Sequence, residues 1–262
     1  MAAAPFAPVD EVRLTRRERI GALTAALAVY LFTAEATASV PKVRRLAPRL
    51  WVERQEQIAR AFKAGEITPL AWMTDLERLA REVDTAELMR YVRAARLTSA
   101  GAGAGHDPKK HFVQFLGNDG RPRRLTFGAA LFDFAPGAVI TPHGHRHMAS
   151  AHLVVDGGFR IRNFDRIGDE PGRMLIRPTR DYLAEIGHLS TMTSARDNIH
   201  WFVPRGAHAA TFDLILSGLD AGMADYEIEA IDPLAADRRP GGVLAAPVIP
   251  FEQASRKYTS DV

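Results

Sequence analysis

The sequence predicts a mainly β protein in which one barrel of short strands follows an α-helical N-terminal region. The first observation is that residues 43–97 are rich in Ala, Leu, Arg and Glu and repeat apolar residues three or four positions apart, as amphipathic helices do. The second is that, from residue 106 onward, short apolar or alternating runs are separated by Gly, Pro, Asp and Asn. This texture is typical of a sandwich or barrel, and without an internal repeat a single barrel is the economical interpretation.

The composition excludes several classes of protein. The chain has 262 residues, of which 47% are hydrophobic and 25% charged, so it is neither disordered nor collagen-like. Its 34 basic and 31 acidic residues are interspersed, which argues against a nucleic-acid partner. No apolar run reaches the roughly 18 residues of a membrane span. The absence of cysteine excludes disulfides, thiolate metal sites and a cysteine nucleophile.

Residues 1–38 have the order of residue types found in an export signal. Arg16-Arg17 is followed by an uncharged run over residues 20–34 and by small residues at 36–38. The pattern resembles a twin-arginine signal, and cleavage would then fall near Ser39 and place the mature protein in the periplasm or outside the cell. Acidic residues within the basic segment favour the alternative, an amphipathic helix on a cytoplasmic protein.

Residues 39–105 are predicted to form the helical region and its Gly-rich joint. Thr68 before Pro69 is a plausible helix N-cap, and the segment from Asp84 to Glu87 resembles a capping box. These helices show no convergent polar cluster, so we interpret them as a packing or oligomerisation element. Helices outside a barrel offer a surface through which a homodimer could form.

Residues 106–262 are predicted to form the barrel and a C-terminal tail. Asn118-Asp119-Gly120 indicates a hairpin turn between two of the expected strands. The predicted strands are at residues 112–116, 124–134, 151–155, 159–164, 198–203 and 209–216.

The histidines concentrate in this second region, and His143-Gly144-His145 is the most informative group. Residues two apart in a strand point to the same face, so these two imidazoles could converge on one metal ion. A third histidine from a distant strand would leave coordination positions open for a substrate. Seven of the nine histidines lie between residues 143 and 208: His143, His145, His147, His152, His188, His200 and His208.

The spacing from Gly137 to His143 and His145 matches the first half of the cupin motif, G-x5-H-x-H. The usual glutamate ligand of that motif would fall at Ala149 or Ser150. A site of three histidines and one glutamate is therefore not expected.

A narrower resemblance, over about residues 111–235, is to the cysteamine dioxygenase and plant cysteine oxidase family. His143-Gly-His-Arg-His-Met148 is similar to its H-x-H-x-x-M motif, and His200-Trp-Phe202 to the H-x-F segment that carries its third iron ligand. The other positions that carry the resemblance are Gly157, Ile161, Phe164, Asp165, Asp213, Tyr226 and Asp232-Pro233. The resemblance implies a double-stranded β-helix (jelly-roll-like) barrel, Fe(II), and oxidation of a small thiol by dioxygen to a sulfinic acid.

The third ligand has two candidates. Pro204 to His208 resembles a second cupin motif, P-x-G-x-x-H, with one residue deleted, which would make His208 the ligand. We prefer His200, because its spacing to Asp213 fits the dioxygenase pattern without a gap. The imidazoles alone would also suit Zn, Ni or Cu, and Mn is a further candidate ion.

Other side chains are candidates for the surroundings of the metal. Asp213 is predicted to be catalytic, by orienting a ligand imidazole or a bound water. Arg160 and Arg162 alternate on one strand and could bind a substrate carboxylate, or could face solvent. His147 is a further candidate for substrate binding, whereas His152 is expected in the barrel wall and His188 on the surface.

Three functions are compatible with these observations. The leading hypothesis is an iron-dependent, thiol dioxygenase-like enzyme. The second is another metal-dependent cupin enzyme, such as an isomerase, a lyase or a non-thiol dioxygenase. The third is a non-enzymatic cupin that binds a small molecule.

Overall fold

The computed structural model describes residues 45–100, 106–220, 222 and 227–259. The predicted signal or amphipathic helix at residues 1–38, the Gly-rich joint at 101–105 and Tyr226 lie outside the described residues.

Helices precede the strands in the described part of the chain, and one short helix follows them. They are α1 (Pro48–Lys63), α2 (Pro69–Ala80), α3 (Thr85–Arg93) and α4 (Phe251–Lys257). The strands are β1 (Arg96–Ser99), β2 (Lys109–Gln114), β3 (Gly128–Phe134), β4 (Ile140–Arg146), β5 (Met148–Glu170), β6 (Arg173–Glu185), β7 (Leu189–Met192), β8 (Ile199–Ser217), β9 (Glu227–Ala230), β10 (Asp237–Arg238) and β11 (Leu244–Pro247).

The starts of α2 and α3 follow from local capping chemistry. The Thr68 hydroxyl accepts a hydrogen bond from the Ala71 N–H at 3.2 Å, and the Asp84 carboxylate accepts one from the Glu87 N–H at 3.0 Å. Each bond satisfies an N–H that has no partner within the first helical turn. Both predicted helix starts are confirmed.

The strands form one antiparallel, 11-stranded sheet. Its main path runs β1-β2-β3-β8-β5-β6-β11-β10, while β4 pairs with β8 and β9, and β7 pairs with β5. The long strands β5 and β8 pair along most of their length, from Met148 opposite Ser217 to Phe164 opposite Ile199. The four short strands predicted within this region are therefore two long strands, each of which continues through an irregular register.

The irregularity in β5 falls at Asp156 and Gly157. Gly157 has a φ of +62°, and a Cβ atom there would lie 2.4 Å from the carbonyl oxygen of His208. Only glycine fits this position without displacing β8. The bulge lets β5 bend and contribute to both halves of the barrel.

Side chains separate onto two faces of this bent sheet. One face packs against the helices, where Leu153 and Phe212 meet the fully buried Trp51 and Trp72. The opposite face encloses a second apolar cluster that includes Phe159, Ile161 and Phe202. This is the mainly β, jelly-roll-like architecture preceded by helices that the sequence predicts, and the enclosed face carries the candidate site.

Candidate metal centre

Two paired strands bring the three predicted metal ligands together. His143 and His145 are two residues apart on β4 and therefore point to the same face. His200 lies directly opposite His143 on β8. All three side chains are buried, so the imidazoles meet on the enclosed face of the barrel.

The ligand atoms have the spacing of a metal site. The Nε2 atom of His200 lies 3.1 Å from Nε2 of His143 and 3.3 Å from Nε2 of His145. Two nitrogen atoms bound at about 2.1 Å to one ion, at angles between 90° and 109°, lie about 3.0–3.4 Å apart. The donor set therefore fits a divalent ion, and His143, His145 and His200 form the group that could hold one.

Hydrogen bonds orient two of these rings. Nδ1 of His143 donates to the Thr141 carbonyl oxygen at 2.7 Å, and Nδ1 of His145 lies 2.9 Å from the thioether sulfur of Met148. With the proton assigned to Nδ1, the Nε2 lone pair of each ring points into the group. The methionine of the H-x-H-x-x-M pattern thus has a direct contact with a ligand.

Burial keeps the three imidazoles neutral. It lowers the pKa of His143 to about 4, although its bond to Thr141 acts in the opposite direction. Burial also lowers the pKa values of His145 and His200 well below their usual range, and the neighbouring imidazoles add to this effect. A neutral imidazole is the form that binds a metal ion.

The close approach of β4 and β8 depends on Gly144. A Cβ atom there would lie 3.2 Å from Cγ1 of Ile199 and 3.3 Å from Oδ1 of Asn198. The Asn198 amide donates to the His145 carbonyl oxygen at 2.8 Å and so ties the two strands together. The small residue between the two ligands lets the strands hold all three rings at one point.

Asp213 is buried beside this group, but its partner is His152. The carboxylate Oδ2 lies 2.7 Å from Nδ1 of His152, and Nε2 of that ring lies 2.8 Å from the Ser150 hydroxyl. The centroids of the His152 and His200 rings are 4.7 Å apart. Asp213 therefore orients a histidine next to a ligand, whereas the sequence placed His152 only in the barrel wall.

The alternative ligand His208 lies outside the histidine group. Its side chain is exposed on β8, whereas the three grouped histidines are buried. His188 is also exposed, as expected. The geometry therefore agrees with the preference for His200 over His208 that the sequence resemblance gave.

The structure does not bring Arg160 and Arg162 to the histidines. Arg162 pairs in register with Trp201, whereas its neighbour Asn163 pairs with His200, so the arginines point to the opposite face. Arg160 donates to Asp181 at 2.7 and 2.8 Å. The Arg162 guanidinium lies 3.9 Å from the centre of the Trp201 ring. A role in substrate binding at the histidine group does not fit this geometry.

His147 is held at the end of β4. Its φ of 60° is unusual for a residue with a side chain, and its Nδ1 lies 2.6 Å from a carboxylate oxygen of Asp220. The side chain is not part of the three-histidine group. The structure gives it a partner in the loop that follows β8, and its predicted contact with substrate remains a proposal.

A surface cleft of about 790 Å³ lies elsewhere, between the helices and the sheet. Its lining includes Glu77, Asp84, Arg180, Tyr182 and His188 and none of the grouped histidines.

Within the described segments, no helix combines the length and the apolar character that a membrane crossing requires.

Comparison with known proteins places few limits on function. No protein-family model matches the chain. No curated protein matches it either.

Several solved structures resemble parts of the chain. KdgF from Halomonas sp. is 16% identical over 45% of this chain and 84% of its own, with a TM-score of 0.32. Procruciferin, an 11S globulin from Brassica napus, is 13% identical over 50% of this chain and 30% of its own, with a TM-score of 0.35. The vicilin from Solanum melongena is 10% identical over 40% of this chain and 25% of its own, with a TM-score of 0.30.

Similarity at this level carries no argument about activity, and we assign the fold from the strand order and register. That fold holds a buried group of three histidines, His143, His145 and His200, which could bind a metal ion.

Proposed function

We propose that this protein is a metal-dependent oxidoreductase that uses dioxygen to convert a small thiol into a sulfinic acid. In this proposal His143, His145 and His200 bind Fe(II). The observation that carries it is the convergence of three neutral imidazoles, at Nε2 separations of 3.1 and 3.3 Å. Among the residues of known placement, no carboxylate joins this group.

The charge of this ligand set favours a thiol substrate. Three neutral imidazoles leave a divalent ion with its full positive charge, which lowers the pKa of a bound thiol. When bound, Fe(II) would also supply the redox chemistry for activating dioxygen. The overall reaction balances without another reductant: the thiol R–SH and O₂ give R–SO₂H, the sulfur loses four electrons and both oxygen atoms end on it.

The surrounding residues would orient the ligands and exclude water. Asp213 fixes the His152 ring against His200. The Phe202 ring packs on both, with centroids 5.1 Å from His152 and 5.4 Å from His200. Phe159 continues this apolar wall away from the ligands. A reactive centre in such a position is closed to bulk water on one side.

The first test is the metal content of protein purified anaerobically, with His200→Ala and His208→Ala beside the wild type. We expect near-stoichiometric iron in the wild type and in His208→Ala, and its loss in His200→Ala. The iron-loaded wild type should then consume oxygen with at least one of cysteamine, cysteine, 3-mercaptopropionate or a peptide with N-terminal cysteine, and the product should be the sulfinic acid.

The other outcomes separate the alternatives. Retained metal without thiol-dependent oxygen uptake would sink the thiol reaction and leave another metal-dependent activity, such as an isomerase, a lyase or a different dioxygenase. Failure of the wild type to hold metal, even after reconstitution with Fe(II), would leave a small-molecule-binding protein that needs no metal.

A further inference from the structure

Lys110 lies on the enclosed face of the sheet, although it is far in sequence from the three histidines of the candidate metal centre. It is opposite Phe132 on β3, and Phe132 is opposite Thr211 on β8. Side chains that are directly opposite in a sheet point to the same face. Its neighbour His111 instead belongs to the row of Leu131 and Phe212, which faces the helices.

The adjacent row of the same face leads from Lys110 towards the candidate site. In that row Phe112 is opposite Ala130, Ala130 is opposite Asp213, and Asp213 is opposite His152. Ala130, which separates Phe112 from Asp213 in this row, carries only a methyl group. A long side chain that starts at Lys110 can therefore lean across towards Asp213.

The ammonium group of Lys110 is held by two aromatic rings. Its Nζ lies 4.7 Å from the centre of the Phe112 ring and 5.3 Å from that of the Phe132 ring. Such cation–π contacts orient a cation but leave its N–H groups free to donate. Within residues 45–100, 106–220 and 227–259, no oxygen atom accepts a hydrogen bond from this ammonium.

Electrostatic effects connect Lys110 to the histidine group. Partial burial lowers the pKa of Lys110, and the negative charge of Asp213 opposes this change. The positive charge of Lys110 in turn contributes to the lowered pKa of His145. Lys110 is thus close enough to interact electrostatically with Asp213 and with a proposed metal ligand.

Other polar groups on this face also lack partners. The Thr211 hydroxyl and both amide atoms of Asn163 are buried without a hydrogen bond. Thr211 belongs to the row of Lys110, and Asn163 lies opposite His200. Buried polar groups are almost always hydrogen-bonded, so this side of the barrel is suited to a polar ligand.

We propose that Lys110 binds the carboxylate of the substrate, so that the substrate of this centre is an anionic thiol. This inference rests on the metal-dependent function proposed above and names its substrate class. A thiol that carries an ammonium group would meet the positive charges of both the metal and Lys110. A thiol carboxylate would place its sulfur at the metal and form a charge-assisted hydrogen bond with the lysine.

Two ligands of equal length distinguish these classes: 3-mercaptopropionate carries a carboxylate where cysteamine carries an ammonium group. Each is titrated anaerobically into the Co(II)-loaded protein, and binding is followed by the visible absorption of the metal, without turnover. The variants are Lys110→Met and Lys110→Arg. Lys109→Met is the matched control, because Lys109 is exposed and points to the other side of the same strand.

We expect the wild type and Lys109→Met to bind 3-mercaptopropionate more tightly than cysteamine. Lys110→Met should weaken 3-mercaptopropionate binding about tenfold or more, the loss typical of one hydrogen bond to a charged group. It should leave cysteamine binding unchanged or stronger, and Lys110→Arg should retain most of the affinity for the carboxylate. Equal Co(II) content and melting temperature in all variants would exclude a folding effect.

Two results would overturn the inference while leaving the metal site intact. The first is equal affinity of the wild type and Lys110→Met for 3-mercaptopropionate. The second is tighter binding of cysteamine than of 3-mercaptopropionate by the wild type. If the wild type does not hold Co(II) through the three histidines, the proposed function fails, and the inference fails with it.

Discussion

The imidazole of His152 and the carboxylate of Asp213 form a buried hydrogen bond, with Nδ1 and Oδ2 2.7 Å apart. The two residues lie directly opposite each other on β5 and β8. Since Ser150 lies within hydrogen-bonding distance of the other ring nitrogen, both nitrogens are engaged. Asp213 therefore fixes the tautomer and orientation of the histidine that packs on His200.

Replacement of Asp213 by alanine should destabilise the protein strongly. The change leaves the Nδ1–H group of His152 buried without an acceptor, which costs about 2–3 kcal/mol. Urea unfolding of the metal-free protein measures this loss. Asp181→Ala is the control: Asp181 is exposed and forms ion pairs with Arg160 and Arg162, so its loss should cost less than about 1 kcal/mol. Equal losses of unfolding free energy in the two variants would show that the buried pair contributes no more to stability than an exposed ion pair does.

Met148→Leu should weaken metal binding without unfolding the protein. Leucine has a similar volume, so the packing cost is below about 1.5 kcal/mol, but it cannot accept the hydrogen bond from His145. Loss of a group that orients a ligand typically lowers metal affinity about 10-fold or more. Competition with a chromophoric chelator measures the affinity. Met89→Leu, in the core of α3, is the matched control, and an equal affinity in both variants would contradict the orienting role.

The placement of the histidines could be predicted because it depends on local pattern. The alternation of side chains along a strand brings His143 and His145 to one face. The resemblance to a known H-x-F segment singled out His200. The N-caps at Thr68 and Asp84 could likewise be predicted, because capping involves residues close in sequence.

The rest of the site depends on the register between strands, which local sequence patterns do not predict. A shift of one residue reverses the face of every side chain in a strand, so Arg160 and Arg162 could not be assigned to the inside or the outside. The pairing of His152 with Asp213 and the position of Lys110 also follow from register alone. Strand β6 was missed because its sequence interrupts apolar residues with Pro178 and charged residues.

The metal-free protein should lose stability as the pH falls from about 6.5 to 4. Burial lowers the pKa of His143 to about 4 in the folded protein, whereas a histidine that is exposed to solvent has a pKa of about 6.5. Between these values the unfolded chain binds more protons than the folded one, so the free energy of unfolding decreases as the pH falls. His143 alone would contribute up to about 3 kcal/mol.

Urea unfolding between pH 7 and pH 5 measures this dependence. His143→Gln should show a shallower decrease than the wild type, because one buried group that must remain neutral has been removed. A bound divalent ion should oppose the loss near neutral pH, since it binds the neutral imidazoles of the folded state. A stability that does not change between pH 7 and pH 5 would contradict the burial of neutral histidines.

The helical region should unfold together with the barrel. Trp51 of α1 is fully buried; its indole N–H donates to the Leu79 carbonyl oxygen at 2.9 Å, and its ring centre lies 6.2 Å from that of Phe212 on β8. Trp51→Ala should cost about 3–5 kcal/mol, whereas Leu50→Ala, at a neighbouring side chain that is 41% exposed, should cost much less.

Two probes test this coupling in urea unfolding. Far-UV circular dichroism follows the helices, and tryptophan fluorescence reports on Trp51 and Trp72 of the helices and on Trp201 of β8. We expect coincident transitions for the wild type, as in two-state unfolding, and a parallel shift of both in Trp51→Ala. If the helices instead melt first and the barrel transition stays in place, α1 and β8 do not share one cooperative core. The helices would then support the site strand only weakly, although Phe212 directly precedes Asp213 on β8.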